Sequence, residues 1–196
     1  MTNGKIIVIE GTDKAGKTTQ SKLLYKNLIK SGKHVQLINF PDYGTSLGQE
    51  INQFLKGNKI YSNEVKHMLL SANRWEKKEE ILNIIRSGTH LILNRYYQSN
   101  LVYGFSNGLD SEWLINLDKG LPKEDLVIVI DINPQVSFNR YSNNRDLFER
   151  NDLLLEQVRE NYHRFAKLYN WTIINGERDV NTISVDIFNL VKQIVK

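Results

Sequence analysis

Nothing restricts the folding of this chain as sharply as the passage from Lys5 to Gln20. Five strand-forming residues, "KIIVI", run straight into "EGTDKAGKT", which crowds two glycines, two lysines and two threonines into one short stretch. Gly11 and Gly16 are separated by four residues and followed by Lys17 and Thr18, the spacing of a phosphate-binding loop. Backbone N–H groups can wrap a polyphosphate only where side chains do not obstruct them, hence a glycine at either end. A helix opening near Lys17 aims its positive end at the same anion. Lys17 then reaches the outer phosphates, and the Thr18 hydroxyl can hold Mg2+. Average residue usage yields this pattern by chance in roughly one chain in a hundred of this length. Here it also follows an expected strand and opens an expected helix, so Gly11, Thr12, Asp13, Lys14, Ala15, Gly16, Lys17, Thr18 and Thr19 are read as a nucleotide phosphate loop.

A loop of this kind belongs to a parallel α/β fold, and the remaining pattern agrees. Lys5–Ile9, Val35–Phe40, His90–Leu93, Leu126–Ile130 and Trp171–Ile174 read as buried strands, apolar on both faces. Between them apolar residues recur at helical spacing: Leu24, Leu28 and Ile29, then Leu154, Val158, Tyr162, Phe165 and Tyr169, and finally Ile183, Ile187, Leu190 and Ile194. Strands alternating with helices predict a three-layer fold of the P-loop NTPase type, a five-stranded parallel sheet flanked by helices. With 196 residues and no linker rich in Pro or Gly, one domain is expected. The polar stretch "SNNRD" at 142–146 is expected to be a loop between two helices.

Composition removes other classes. The net charge of +4 suits anionic small molecules as well as nucleic acid, but no long basic run marks a nucleic-acid binder. Without cysteine there are neither disulfides nor thiolate metal sites. Apolar runs such as "LVIVI" are too short to span a bilayer, so no membrane partner is expected. A cytoplasmic location follows as the default. The Asn-Lys-x-Asp guanine reader of GTPases is missing, since Asn58-Lys59 is followed by Ile60 and Tyr61.

Two further stretches carry chemistry. In "HMLLSANRWE", His67, Leu70 and Arg74 share a helical face, and an arginine among apolar residues can read a planar base edge. Read blandly, Arg74 is a surface residue with its stem on Trp75. "NRYYQSNLVY" follows a strand, so Arg95 would stand over the ligand crevice for a phosphate, with Ser99 and Tyr103 for a base or sugar. Asp13 places a carboxylate beside bound phosphates, which is costly without a specific partner such as a sugar hydroxyl.

Together, "EGTDKAGKTTQ", "FPDYGTSLG", "LLSANRWE", "NRYYQS" and "KGLPKEDLVIVID" resemble the thymidylate kinase family along nearly the whole chain, in the branch shared by eukaryotes, viruses and related archaeal-like members. The resemblance implies transfer of the ATP γ-phosphoryl group to dTMP, giving dTDP, with Mg2+ as cofactor and a homodimer as the assembled state. It implies that Asp13 holds the acceptor 3′-hydroxyl, Arg74 reads thymine and Arg95 binds the acceptor phosphate. Phe40, Leu70, Ser99 and Tyr103 would line the base and sugar. A lid at about 140–149 would close over ATP, with Arg145 as the favoured cation and Arg140 as the runner-up. Residues 175–180 would lie near the adenine.

Several positions depart from the family pattern. Leu70 stands where Phe usually stacks on thymine, Tyr43 where many members carry Arg, and Lys14 where many carry Arg. Asn94 replaces the Asp of Asp-Arg-Tyr, and a neutral amide attracts a Mg2+-bound water less strongly. These changes keep open a kinase for another pyrimidine nucleoside monophosphate such as dUMP. They also keep open a nucleotide-binding protein with weakened catalysis.

Overall fold

The computed structural model describes residues 3–136 and 152–195, so the expected lid at 140–149, with Arg140 and Arg145, lies outside the described residues. The elements in chain order are β1 (Ile6–Gly11), α1 (Lys17–Lys30), β2 (Val35–Asn39), α2 (Ser46–Leu55), α3 (Asn63–Trp75), α4 (Lys78–Arg86) and β3 (His90–Asn94). They continue with α5 (Tyr97–Ser106), α6 (Ser111–Leu117), β4 (Leu126–Asp131), α7 (Asp152–Tyr169), β5 (Thr172–Asn175) and α8 (Val180–Ile194). The strands form one five-stranded parallel sheet in the order β2-β3-β1-β4-β5.

The absence of polar alternation in the strands has a direct cause. Successive side chains of a strand point to opposite faces, and here helices cover both. Ile6 and Val8 of β1 join Leu91, Leu93, Val127 and Val129 in one core, which also takes Phe54, Tyr162 and Phe165 from the helices. Ile7 and Ile9 join Ile92, Ile128 and Ile130 in the other, closed by Leu24 and Leu28 of α1 and by Ile187 and Val191 of α8. Each fully buried side chain of this size contributes about 1.5–3 kcal/mol. The two outer strands differ from the sequence expectation. β2 and β5 pair on one side only and include exposed residues, Ile173 among them. An edge strand has one fewer neighbour to cover it.

Register places the chemistry. Ile9 is aligned with Asn94 across β1 and β3, and the Arg95 amide donates to the Ile9 carbonyl at 3.0 Å. The phosphate loop and the "NRYYQS" turn therefore leave the sheet side by side, at the carboxyl ends of its central strands, where open α/β sheets bind ligands.

Candidate active site

The two loop glycines are required for different reasons. At Gly11, with φ at 140°, an added Cβ would lie 2.4 Å from the Ile130 carbonyl oxygen. At Gly16 nothing lies within 4 Å, but φ is 100°, a conformation that side chains oppose. Lys14 and Arg95 also hold left-handed backbones, with φ of 62° and 67°. That conformation costs a residue with a side chain about 1–2 kcal/mol, and such strain gathers at functional turns.

Behind the loop, Lys17 is buried and its Nζ donates to the carbonyls of Gly11 at 3.0 Å and Thr12 at 2.7 Å. The Asp13 carboxylate is 3.9 Å from the same ammonium. Asp13 also accepts from Arg95 Nη2 and, at 3.0 Å, from the Tyr103 hydroxyl. Its costly charge thus has protein partners, where the sequence suggested a sugar hydroxyl. Arg95 donates in addition to Ser99 Oγ at 3.1 Å and lies over the Tyr103 ring.

Glu10 organises this turn, and the sequence reading passed it over. The residue is fully buried and accepts from the Tyr96 amide at 2.8 Å, the Ser99 amide at 3.1 Å, the Ser99 hydroxyl at 2.6 Å and the Tyr162 hydroxyl at 2.9 Å. α5 has no cap from its own Tyr96 side chain. A carboxylate from the neighbouring strand does the work of an N-cap there.

The loop opens into a cavity of about 620 Å³ whose wall includes Asp13, Lys14, Gly16, Lys17, Thr18 and Thr19 at one end. Asn94, Arg95, Ser99 and Tyr103 line its middle, and Phe40, Tyr43, Leu70 and Arg74 its far side. Gly11, Thr12 and Ala15 support the loop from behind and are not on this wall. Among the wall residues that escaped the sequence reading as ligand groups are His67, Asn100, Asn39 and Tyr96. His67 was legible by its spacing, three residues before Leu70. The structure pairs it with Asn100, Nδ1 to Oδ1 at 2.6 Å, and burial pushes its pKa down to about 4. The imidazole is neutral near pH 7, so Nδ1 carries the proton that it donates.

Arg74 is not a surface residue. It is 3% exposed, and Nε and Nη2 donate to the two Asp118 oxygens at 3.0 and 2.7 Å. The rest of "SANRWE" is also explained by contacts. Asn73 accepts from the Asp42 amide and donates to Thr45 Oγ1, and Glu76 accepts from the same threonine hydroxyl. Trp75 Nε1 donates to the Leu117 carbonyl at 2.8 Å. These bonds tie the Phe40-bearing strand end and the Asp118 loop to one helix. The loop at 175–180 meets α1, where Gln20 Nε2 donates to the Val180 carbonyl at 2.9 Å.

The site is suited to a cation that arrives with phosphates. Asn94 Nδ2 donates to Thr18 Oγ1 at 3.2 Å and to Asn39 Oδ1 at 2.9 Å, while the buried Asn94 Oδ1 has no hydrogen-bond partner among the described residues. No cluster of three or more His, Cys, Asp or Glu able to hold a metal occurs among the described residues. Mg2+ in nucleotide sites takes few protein ligands and completes its shell with phosphate and water, so one hydroxyl and one neutral amide fit it.

Comparison with known proteins agrees with this geometry. A family model described as thymidylate kinase matches residues 9–187. The chain belongs to the thymidylate kinase family. The thymidylate kinase of Schizosaccharomyces pombe is 38% identical over 164 residues, covering 84% of this chain and 78% of that protein. The thymidylate kinase of Plasmodium falciparum is 36% identical over 196 residues, covering 98% and 90%. Among solved structures, the thymidylate kinase of Candida albicans superimposes with a TM-score of 0.87 at 25% identity, covering 97% of this chain and 92% of that one. The fold is accordingly that of a P-loop NTPase, and the family is one of ATP-dependent nucleoside monophosphate kinases. No helix among the described residues is long and apolar enough to cross a membrane.

Proposed function

We propose that this member of the thymidylate kinase family transfers the ATP γ-phosphoryl group to the 5′-phosphate of dTMP, and that one cavity holds both nucleotides with their phosphates meeting between Lys17 and Arg95. The observation that carries the reading is the continuity of that cavity from the phosphate loop through Arg95 to Arg74, Phe40 and Leu70. An oxygen of the acceptor phosphate forms the new bond to the γ-phosphorus, and the bond to the β–γ bridging oxygen breaks, releasing ADP. No side chain need remove a proton, because a phosphate monoester is largely ionised near neutral pH.

The task of the protein is to bring two polyanions together in line. Lys17 and Lys14 face the donor phosphates, Arg95 the acceptor phosphate. Asp13 pairs with Arg95. An arriving phosphate competes for that guanidinium, which frees Asp13 for the 3′-hydroxyl. Ser99 orients Arg95, Tyr103 packs beside the sugar, and Phe40 and Leu70 sandwich the base whose edge Arg74 reads. Thr18 and Asn94 would hold Mg2+, which neutralises charge on the donor phosphates when bound. Arg145, with Arg140 as the alternative, supplies the lid cation, by the family resemblance. The same resemblance supports one kinase domain in a cytoplasmic homodimer formed through the helical surfaces around 45–85, where Ile60 and Met68 are exposed.

A phosphotransfer assay with ATP against dTMP, dUMP, dCMP and dGMP tests the proposal. Acceptor-dependent ADP formation fastest with dTMP is the expected result. Preference for dUMP would assign the aliphatic Leu70 wall to a different pyrimidine. ATP binding without acceptor-dependent ADP would show that phosphoryl transfer has been lost.

A further inference from the structure

A carboxylate grips Arg74 on both oxygens, and that carboxylate comes from outside the cavity wall. Asp118 follows α6, lies 44 residues along the chain and is 7% exposed. It receives Nε and Nη2 of Arg74 and, at 2.8 Å, the hydroxyl of Ser71, one turn earlier on α3. Two guanidinium donors and a hydroxyl shared with the Leu117 carbonyl therefore hold the carboxylate, and the carboxylate fixes the plane of the guanidinium. With Nε and one hydrogen of Nη2 engaged, the donors left for the cavity that Arg74 lines are those of Nη1 and the second Nη2 hydrogen.

We propose that Asp118 is a positioning and specificity-determining residue, which acts through Arg74 to make the base end select a 4-keto over a 4-amino pyrimidine. The inference rests on the dTMP kinase reading above. A pinned Nη1 presents only N–H donors, which complement a carbonyl oxygen and oppose an amino group. The pairing also cancels the charge of Arg74. A solitary cation there would draw the acceptor phosphate toward the wrong end of the cavity, whereas the neutral pair leaves the attraction to Arg95 and Lys17. Removing Asp118 would free the fork to rotate, so that both functions fail together while the phosphate loop is untouched.

The test compares wild type, Asp118→Asn, Arg74→Ala and the double variant. The readouts are kcat and KM for dTMP and ATP, and inhibition constants of dUMP and dCMP against dTMP. Those two inhibitors differ at the 4-substituent and, with it, in whether the adjacent N3 donates or accepts. In Asp118→Asn the dTMP KM should rise and the dCMP-to-dUMP inhibition ratio should collapse, each about tenfold, with kcat and the ATP KM nearly unchanged. In the Arg74→Ala background the same change should leave the ratio where it was, because the two residues act as a unit. A ratio unchanged in Asp118→Asn, or shifted equally in both backgrounds, overturns the proposal. If Asp118→Asn does not fold, Ser71→Ala serves, since it removes one donor and keeps the ion pair. It should move the ratio about twofold in the same direction, and no movement overturns the proposal. Wild type inactive on dTMP would sink the kinase reading itself, a separate outcome from an active enzyme whose selectivity ignores Asp118.

Discussion

The two ends of the cavity hold a buried cation by opposite means. At the phosphate loop, Lys17 rests on the neutral carbonyls of Gly11 and Thr12, with Asp13 more distant and shared with Arg95. At the base end, Arg74 rests on a carboxylate that takes two of its donors. Carbonyl dipoles orient a charge without cancelling it, whereas a carboxylate at 2.7 Å cancels it. One end is thus built to attract an anion, the other to offer hydrogen bonds with a fixed direction. A kinase of two phosphorylated substrates needs both, because the charge that recruits phosphate would misplace a base.

The sharpest way to break the comparison is Arg74→Ala. It strands Asp118 without its counter-ion in a buried site, which should cost about 3–5 kcal/mol of stability. Affinity for dTMP should drop far more than affinity for ATP, as read by calorimetry. Equal losses for both nucleotides would show that the base end is misplaced. At the other end, Lys17→Ala should lower turnover about 10²–10³-fold, with the melting temperature and dTMP affinity close to wild type. Near-normal turnover would remove Lys17 from its role.

Acid should act on the base end through His67. This group protonates at about 4 in the folded protein against an ordinary 6.5. Between those values the unfolded chain takes up a proton that the folded one refuses, so stability is full above pH 6.5 and drains as pH falls toward 4. The whole loss is about 3 kcal/mol. Urea unfolding at pH 7 and pH 5 should show about 2 kcal/mol of it, and His67→Asn should flatten the difference; an equally steep variant would place the acid sensitivity elsewhere. The smallest effect concerns Asn94. Asn94→Asp beside Thr18 should lower the Mg2+ concentration needed for tight ATP binding by about tenfold, measured by calorimetry across a Mg2+ titration. An unchanged requirement would separate residue 94 from the cation.

How much could be read in advance differs between the same two regions. The phosphate loop was legible because its parts are contiguous: strand, glycines, lysine, threonine and helix lie within residues 6–30, and each is demanded by backbone geometry. The five strands were legible for a similar reason, although their uniform apolar character hid that β2 and β5 are edges. Arg74 could be singled out by spacing and by likeness to a family, yet on its own residues it fitted a surface position equally well. Glu10 gave no signal, since a carboxylate ending a strand reads as solvent-facing until Tyr96, Ser99 and Tyr162 converge on it. Asp118 was equally silent, lying in a polar turn before a glycine.

What the residues dictate without help is whatever depends on near neighbours. Gly11 and Gly16 permit positive φ, apolar runs demand cover on both faces, and Lys17 and Thr18 at the start of a helix face whatever anion its amides attract. Which partner each charge receives was settled only when distant segments met. Packing of α6 against α3 delivered Asp118 to Arg74, and the register of β1 on β3 set Arg95 beside Asp13. Electrostatic energy falls with distance through space and is indifferent to separation along the chain, so the pairs that distinguish the two ends of this cavity have no local signature.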